Sequence, residues 1–297
     1  MTEKYQHKSV LTHEVLTYID PQPGKVYLDV TFGGGGHTRA LLEHEPGCSV
    51  LAMDWDMDAL ELKGEPLQKE FPDRLRLLWG NFAHLYKVLK KAGVTQVDGI
   101  LADLGTSQYQ IAHRPGFSIF KETELDMRMS PAHQKTTAAD VINHASEEEL
   151  RQLFWQLGEE RYSKQIVAAL ARARKDHRIT TTKELAELVQ AAVPYQKYHK
   201  IHPATRVFQA LRMYVNHELD NIQAFLSGAV RALVPGGRLV VISFHSLEDR
   251  MVKQFFKKEQ NEGRVRILTP RAVIASAQEL KDNISARSAK LRVCAKN

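Results

Sequence analysis

Cysteine is almost missing from this chain: Cys48 and Cys294 are the only two in 297 residues. They form no CxxC pair and no zinc-ligand spacing, so a disulfide framework and a cysteine-based metal site are excluded, and two buried thiols in a reducing cytoplasm are expected. Long apolar runs are also missing. No stretch approaches the ~20 apolar residues a membrane helix needs, and the segment from Met1 to Val10 has no apolar core of a secretory signal. A soluble, cytoplasmic protein is expected. Repeats and low-complexity segments are absent. No G-x-x-x-x-G-K-[ST] loop for a nucleoside triphosphate occurs.

What is present is ordinary in amount and specific in order. Hydrophobic residues make up 43% and charged residues 26%, enough for one large domain or two modest ones. Lysine and arginine number 41 against 35 acidic residues, a net charge of +6 that points mildly to a polyanionic partner. Short apolar runs at Val26–Val30, Ser49–Met53, Leu75–Trp79 and Gly99–Ala102 alternate with helical segments, the pattern of buried parallel strands in a doubly wound α/β sheet. From Gln110 to Pro203 the strand signals give way to helical ones. Ser146 with Glu149 and Thr181 with Glu184 read as capping boxes, Gly158 and Pro194 as helix ends, and Ile166, Val167 and Leu170 as an apolar stripe.

The sheet pattern then resumes. A single helix is expected from about Thr205 to Leu233, then a strand over Arg238–Ile242. A capping box at Ser246–Asp249 opens the next helix. Val265–Leu268 and Leu291–Cys294 are expected to close the sheet, as an antiparallel hairpin at its edge. The organisation predicted is a discontinuous domain, residues 1–109 and 204–297, interrupted by an inserted helical domain over 110–203.

The chemistry concentrates at strand ends. Gly33-Gly34-Gly35-Gly36 follows the first strand, where open α/β sheets bind ligands and where glycine lets a ligand approach the backbone. A dinucleotide fingerprint needs a third small residue. Thr38 or Arg39 stands there instead, which argues against a pyrophosphate cofactor and hence against a dinucleotide oxidoreductase. Asp54 ends the second strand, placed either to accept the two hydroxyl hydrogens of an adenosine ribose or to stand as a solvated loop acid. Asp103 ends the fourth strand. Its carboxylate can accept a proton from an attacking amino group, bind the amino-acid part of a cofactor, or cap the next turn, and the sequence leaves these three open.

Several further stretches complete a pattern: Asp29–Thr38, Ala52–Asp54, Asp103–Gly105, Gly116–Ser118, Leu125–Met129, Gly158–Tyr162, His202–Ala210, Ser243–Arg250 and Ala286–Ser288. Together they resemble the bacterial small-subunit ribosomal RNA cytosine-N4 methyltransferases, the RsmH or MraW family, over nearly the whole chain. The resemblance implies a class I (Rossmann-like) methyltransferase sheet with an inserted α-helical domain for RNA recognition. It implies S-adenosyl-L-methionine as methyl donor. The implied target is the exocyclic amino group of a cytidine in the decoding region of 16S ribosomal RNA, free or in the assembled small subunit, with the enzyme a monomer or homodimer. Matching motifs place cofactor contacts on Gly35, Gly36, His37, Asp54, Phe82, Asp103 and Gln110, and no metal.

The chain departs from the family pattern twice. Ser107-Gln108-Tyr109-Gln110 replaces a Ser-Ser-Pro-Gln stretch, leaving Gln108 or Gln110 as the equivalent glutamine, with Gln110 favoured by length. The segment between Lys258 and Ala286 is shorter than usual. A non-catalytic RNA-binding module is the rival reading, opposed by the intact Gly35, Gly36, Asp54 and Asp103.

Attack by the exocyclic amino group rather than a ring carbon requires no covalent cysteine, and Asp103 is the candidate proton acceptor. RNA contact is expected from Arg172–Lys175 with His177 and Arg178, from Lys197–Lys200, and from a polar helix face of Arg206, Gln209, Arg212 and Asn216. Arg206 and His245 are the candidate substrate contacts.

Overall fold

The computed structural model describes residues 9–106, 108–194 and 201–297, without the side chains of Gln108, Tyr109 and Ala112. Two compact units emerge. One combines the described residues up to Thr106 with Leu219–Asn297; the other is Gln108–Glu218.

The first unit is built on an eight-stranded sheet: β1 (Val26–Asp29), β2 (Ser49–Asp54), β3 (Leu75–Trp79), β4 (Val97–Asp103), β5 (Leu233–Ser243), β6 (Val265–Ile267), β7 (Val273–Ile274) and β8 (Lys290–Lys296). Its order is β3-β2-β1-β4-β5-β8-β6, with β7 paired to β8. The first five strands run parallel, while β8 lies antiparallel to both β5 and β6. Successive residues of the central strands feed opposite cores. Leu51 and Met53 of β2, Ile100 and Ala102 of β4, and Leu239 and Val241 of β5 join one cluster. Val50, Ala52, Leu101, Val240 and Ile242 join the other. Apolar side chains are therefore needed at every position, which is why these strands read as unbroken hydrophobic runs.

Helices cover both faces. Leu85 and Leu89 of the helix Leu85–Lys91, with Phe225 and Phe256, close the first core. Val15, Leu41, Leu42 and Leu67 close the second. Burying Phe225 fully contributes roughly 2–3 kcal/mol.

The strand order reverses between β1 and β4, parallel neighbours in the sheet. Open α/β sheets have their ligand crevice at this switch point, outside the carboxyl ends of the strands. The Gly33–Gly36 turn and Asp103 therefore emerge side by side.

Three local expectations need refining or correcting. The closing strands do pair antiparallel at the sheet edge, with β6 outermost and β8 between it and β5, but β7 and the helix Ala277–Asp282 intervene in the chain, so they are not joined by a tight turn. The expected helix over 205–233 is two helices, Thr205–Val215 and Glu218–Ala232, interrupted at Asn216 and His217, the latter with φ +50°. Asn216 is fully buried. Its amide donates to Met127 O at 2.8 Å and accepts from Met129 N–H at 2.8 Å. It satisfies a strained turn in which Met127 itself has φ +65°. Third, the helix opening Ser246–Asn261 is capped by His245, not Ser246.

The second unit is helical. Its described helices are Gln108–His113, Ala138–His144, Glu147–Gly158, Ser163–Asp176, Thr182–Ala192 and Thr205–Val215. Phe154, Ile166, Leu170, Leu185, Val189 and Leu211 fill its core. Ser146 and Glu149 close a full capping box, and Thr181 accepts from Glu184 N–H. A Cβ at Gly158 would stand 2.7 Å from Arg206 O, so glycine there lets two helices cross closely. Among the described residues, no helix is long and apolar enough to cross a membrane.

Candidate active site

The site begins with Asp29, the last residue of β1 and 1% exposed. One carboxylate oxygen accepts Thr31 N–H at 3.1 Å and the other the Thr38 hydroxyl at 2.8 Å. Asp29 thus pins both ends of the glycine turn. Burial raises its pKa. Sequence reasoning gave Asp29 no role, although an acid closing an apolar strand before a glycine run is a visible signal.

The turn is shaped by glycine where shape demands it. Gly33 and Gly35 have φ of +52° and +78°. A Cβ at Gly35 would lie 2.7 Å from the Phe32 ring, and one at Gly36 would collide with the Ser9 hydroxyl. Gly36 starts the helix Gly36–His44, whose first-turn N–H groups face the crevice side of the sheet. His37 follows, only 5% exposed.

Asp54 ends β2. Its Oδ2 accepts Gly33 N–H at 2.7 Å and its Oδ1 accepts Asp56 N–H at 2.8 Å. Each oxygen keeps a further lone pair. Burial pushes this carboxyl up to about 6, against the opposing pull of the Asp56 and Gly33 N–H groups. Gly80 N–H bonds Asp54 O at 3.0 Å, which sets the turn after β3 beside it. There Asn81 accepts Ala83 N–H, and Phe82 packs its edge against Phe225 at 5.5 Å and 75°. Phe82 is half-buried.

Asp103 ends β4. Its N–H donates to Thr31 Oγ1 at 2.7 Å, which ties it to the glycine turn. Its Oδ2 stands 3.5 Å from His37 Nε2. Asp103 Oδ1 and both ring nitrogens of His37 are buried without a hydrogen-bond partner. Buried polar atoms are nearly always paired, so three orphans together mark a place for ligand groups. Side by side stand an anionic acceptor, an imidazole and helix N–H groups. Asp54 stands at the end of β2, and Phe82 follows β3.

The remaining candidates are carried by other elements. Gln110 belongs to the helical unit and is buried on Gln108–His113. Arg206 donates to Glu159 O at 3.2 Å within its own unit. His245 follows β5. Its Nδ1 accepts Glu248 N–H at 3.4 Å, and Glu248 Oε2 accepts His245 N–H at 3.3 Å. Its Nε2 is buried, 3.1 Å from Glu248 Oε1 but without hydrogen-bond alignment.

The expected basic surface of the helical unit is largely structural. Arg174 donates to Ile142 O and Ala145 O at 2.9 and 2.7 Å. Arg178 pairs with Asp140, and His177 with Glu184. Arg212 is held by Glu218 at 2.8 Å, and Gln209 faces Leu157 O at 3.5 Å. Lys197–Lys200 lies outside the described residues. Sequence reasoning missed another basic surface. On the helix Ser246–Asn261, Arg250, Lys253, Lys257 and Lys258 share an exposed face with Gln254 and Asn261 and no acid, while Val252 and Phe256 point inward.

A β3-β2-β1-β4-β5-β8-β6 sheet with this crevice at its switch point is a class I, Rossmann-like methyltransferase domain. The chain belongs to the MraW methylase family, whose model matches residues 4–297. Its relatives include proteins named ribosomal RNA small subunit methyltransferase H. One from Syntrophotalea carbinolica is 45% identical and covers 98% of this chain and 98% of its own length. One from Pelobacter propionicus is 43% identical, covering 98% and 99%. One from Thermomicrobium roseum is 46% identical, covering 96% and 92%.

Proposed function

We propose that this protein transfers a methyl group from S-adenosyl-L-methionine to the N4 amino group of a cytidine in the decoding region of small-subunit ribosomal RNA, in the cytoplasm. The carrying observation is the set of orphaned buried atoms on His37 and Asp103 beside the glycine turn, in a chain whose relatives over nearly its full length are named ribosomal RNA small subunit methyltransferases.

The residues present fit the cofactor. Its amino acid end needs an anion for the ammonium and N–H donors for the carboxylate; Asp103, His37 and the helix start at Gly35–Gly36 supply them. Its ribose hydroxyls find the spare lone pairs of Asp54, and its adenine the face of Phe82. Gln110 remains a candidate contact on the resemblance alone. The cofactor supplies an activated methyl on sulfur, whose departure needs no acid.

The protein's own work is to align and to accept charge. Cytosine N4 is a weak nucleophile because its lone pair is delocalised into the ring. An acceptor aimed at the amino hydrogens offsets the positive charge that develops, and Asp103 is placed for that role. The helical unit Gln108–Glu218 is assigned to RNA recognition, with Arg206 and the Nε2 of His245 as substrate contacts. The test is tritiated methyl transfer to small ribosomal subunits lacking the modification, followed by identification of the labelled nucleoside. N4-methylcytidine is expected, and any other labelled nucleoside overturns the assignment.

Asp54 gives this reading a pH signature. Its carboxyl titrates near 6 in the ligand-free fold, and only the ionised form accepts both hydroxyl hydrogens. The proton competes with the cofactor below that pH, so affinity falls as pH drops through 6, by at most about tenfold per unit. Calorimetry from pH 5 to 8 reads this directly. Asp54→Asn should bind more weakly at pH 8 and show a flat profile. A flat native profile removes Asp54 from hydroxyl binding.

A further inference from the structure

The helical unit presents one aromatic ring almost entirely to solvent. Phe120 is 86% exposed, the most exposed of the large hydrophobic side chains described. A lone exposed apolar residue is ordinary on a mobile loop. This loop, however, is fastened along its length. Ser118 Oγ accepts the N–H groups of Phe120 and Lys121 at 3.3 and 3.2 Å. The hydroxyl of Thr182, a fully buried residue, donates to Lys121 O at 2.8 Å and accepts Thr123 N–H at 3.0 Å. Thr182 N–H in turn donates to Thr123 O, and Gly116 N–H to Thr123 Oγ1 at 2.9 Å. The ring is therefore held out on a fixed support.

His202 stands beside it. The two rings meet edge to face, with centroids 5.7 Å apart at 80°. His202 Nδ1 accepts Ala204 N–H at 3.2 Å, so in the neutral ring Nε2 carries the proton and is a donor. Burial lowers the pKa of this imidazole and keeps it neutral near pH 7. An open aromatic face with a fixed N–H donor at its edge is what an unstacked nucleobase requires. The base stacks on the ring, and a carbonyl or ring nitrogen on its edge accepts the hydrogen bond.

We propose that Phe120 and His202 form a stacking platform for an unpaired base of the RNA substrate. This rests on the RNA-methylating reading above. An RNA occupant is favoured by the excess of positive charge on the chain and by the pairing of an aromatic face with a neutral donor.

The test uses the full-length enzyme and small ribosomal subunits lacking the modification, with F120A, F120L and F120W compared with the native chain. Stacking on an aromatic side chain is worth about 5- to 100-fold in binding per base. F120A should therefore raise the KM for RNA roughly tenfold, with cofactor affinity and kcat within about twofold of native. F120L should fare no better than F120A. F120W should restore the native KM, and its added fluorescence should be quenched on titration with single-stranded RNA. An unchanged KM in F120A overturns the platform. So does F120L matching F120W, which would make the site an apolar anchor of the kind a protein partner uses. The native enzyme run alongside separates the two readings. If it methylates no RNA, the functional reading fails. If it methylates RNA and F120A is indistinguishable from it, only the platform fails.

Discussion

Asp103→Asn should lower kcat for methyl transfer by about 10²–10³-fold, within the range that a positioned proton acceptor contributes. The substitution is close to isosteric. It keeps the backbone N–H bond to Thr31 Oγ1 that fixes the end of β4, and Oδ1 has no hydrogen-bond partner among the described residues to lose. The fold should survive it, which thermal unfolding checks. Two roles for the carboxylate then separate by measurement. If Asp103 chiefly accepts charge from N4, single-turnover methylation collapses while S-adenosylmethionine binding weakens only a few-fold. If it chiefly holds the cofactor ammonium, binding falls by two orders of magnitude and saturating cofactor restores the rate. Full single-turnover activity with normal binding removes it from both roles. His37 offers a cross-check. Its Nε2 stands 3.5 Å from Asp103 Oδ2, so the effects of His37→Ala and Asp103→Asn on cofactor affinity should be non-additive.

The centre of this site was legible in the sequence because its determinants are local. A parallel strand buried on both faces has to be an unbroken apolar run, and a ligand loop at its end has to relax around φ of +52° and +78°. Both constraints act within a few residues of Gly33. The features that escaped are set by partners far along the chain. Asn216 breaks a helix because Met127 and Met129 need its amide, and they are more than eighty residues away. Arg174 looks like a phosphate ligand until it meets the carbonyls of Ile142 and Ala145. The antiparallel pairing of β6 with β8 is legible, but which of the two lies outermost depends on the cover of Leu291 and Val293, and no local pattern encodes that. Ser246 reads as the cap in the sequence, but the cap falls on His245. The imidazole took the cap because its Nδ1 can accept an N–H as a serine hydroxyl does, a use that propensity scales give little weight.

The exposed face of the helix Ser246–Asn261 leads to the second large expected effect. Arg174, Arg178, His177 and Arg212 are paired within the helical unit, so they add less to a phosphate-binding surface than their number implies. Lys253, Lys257 and Lys258 lie four and one residues apart on one exposed helix face, with no acid among the outward positions. The nearby acids are engaged elsewhere, Asp249 with Arg292 and Glu259 with Arg264. Helix-dipole stabilisation alone explains lysines in the last turn but not one in the middle of the helix, at Lys253. A polyanion track explains all three. Each phosphate neutralised on a single strand contributes about 0.7 to the slope of log affinity against log salt, so removing three cations should flatten the slope by about 2. At 0.15 M salt this amounts to about a 50-fold loss of RNA affinity, shrinking to nothing near 1 M. The triple variant K253Q/K257Q/K258Q tests it, since glutamine keeps helix propensity and most of the stem. Cofactor affinity and unfolding temperature should match the native protein. An unchanged slope overturns the track, and a loss that persists at 1 M salt would place the cause in the fold rather than in charge.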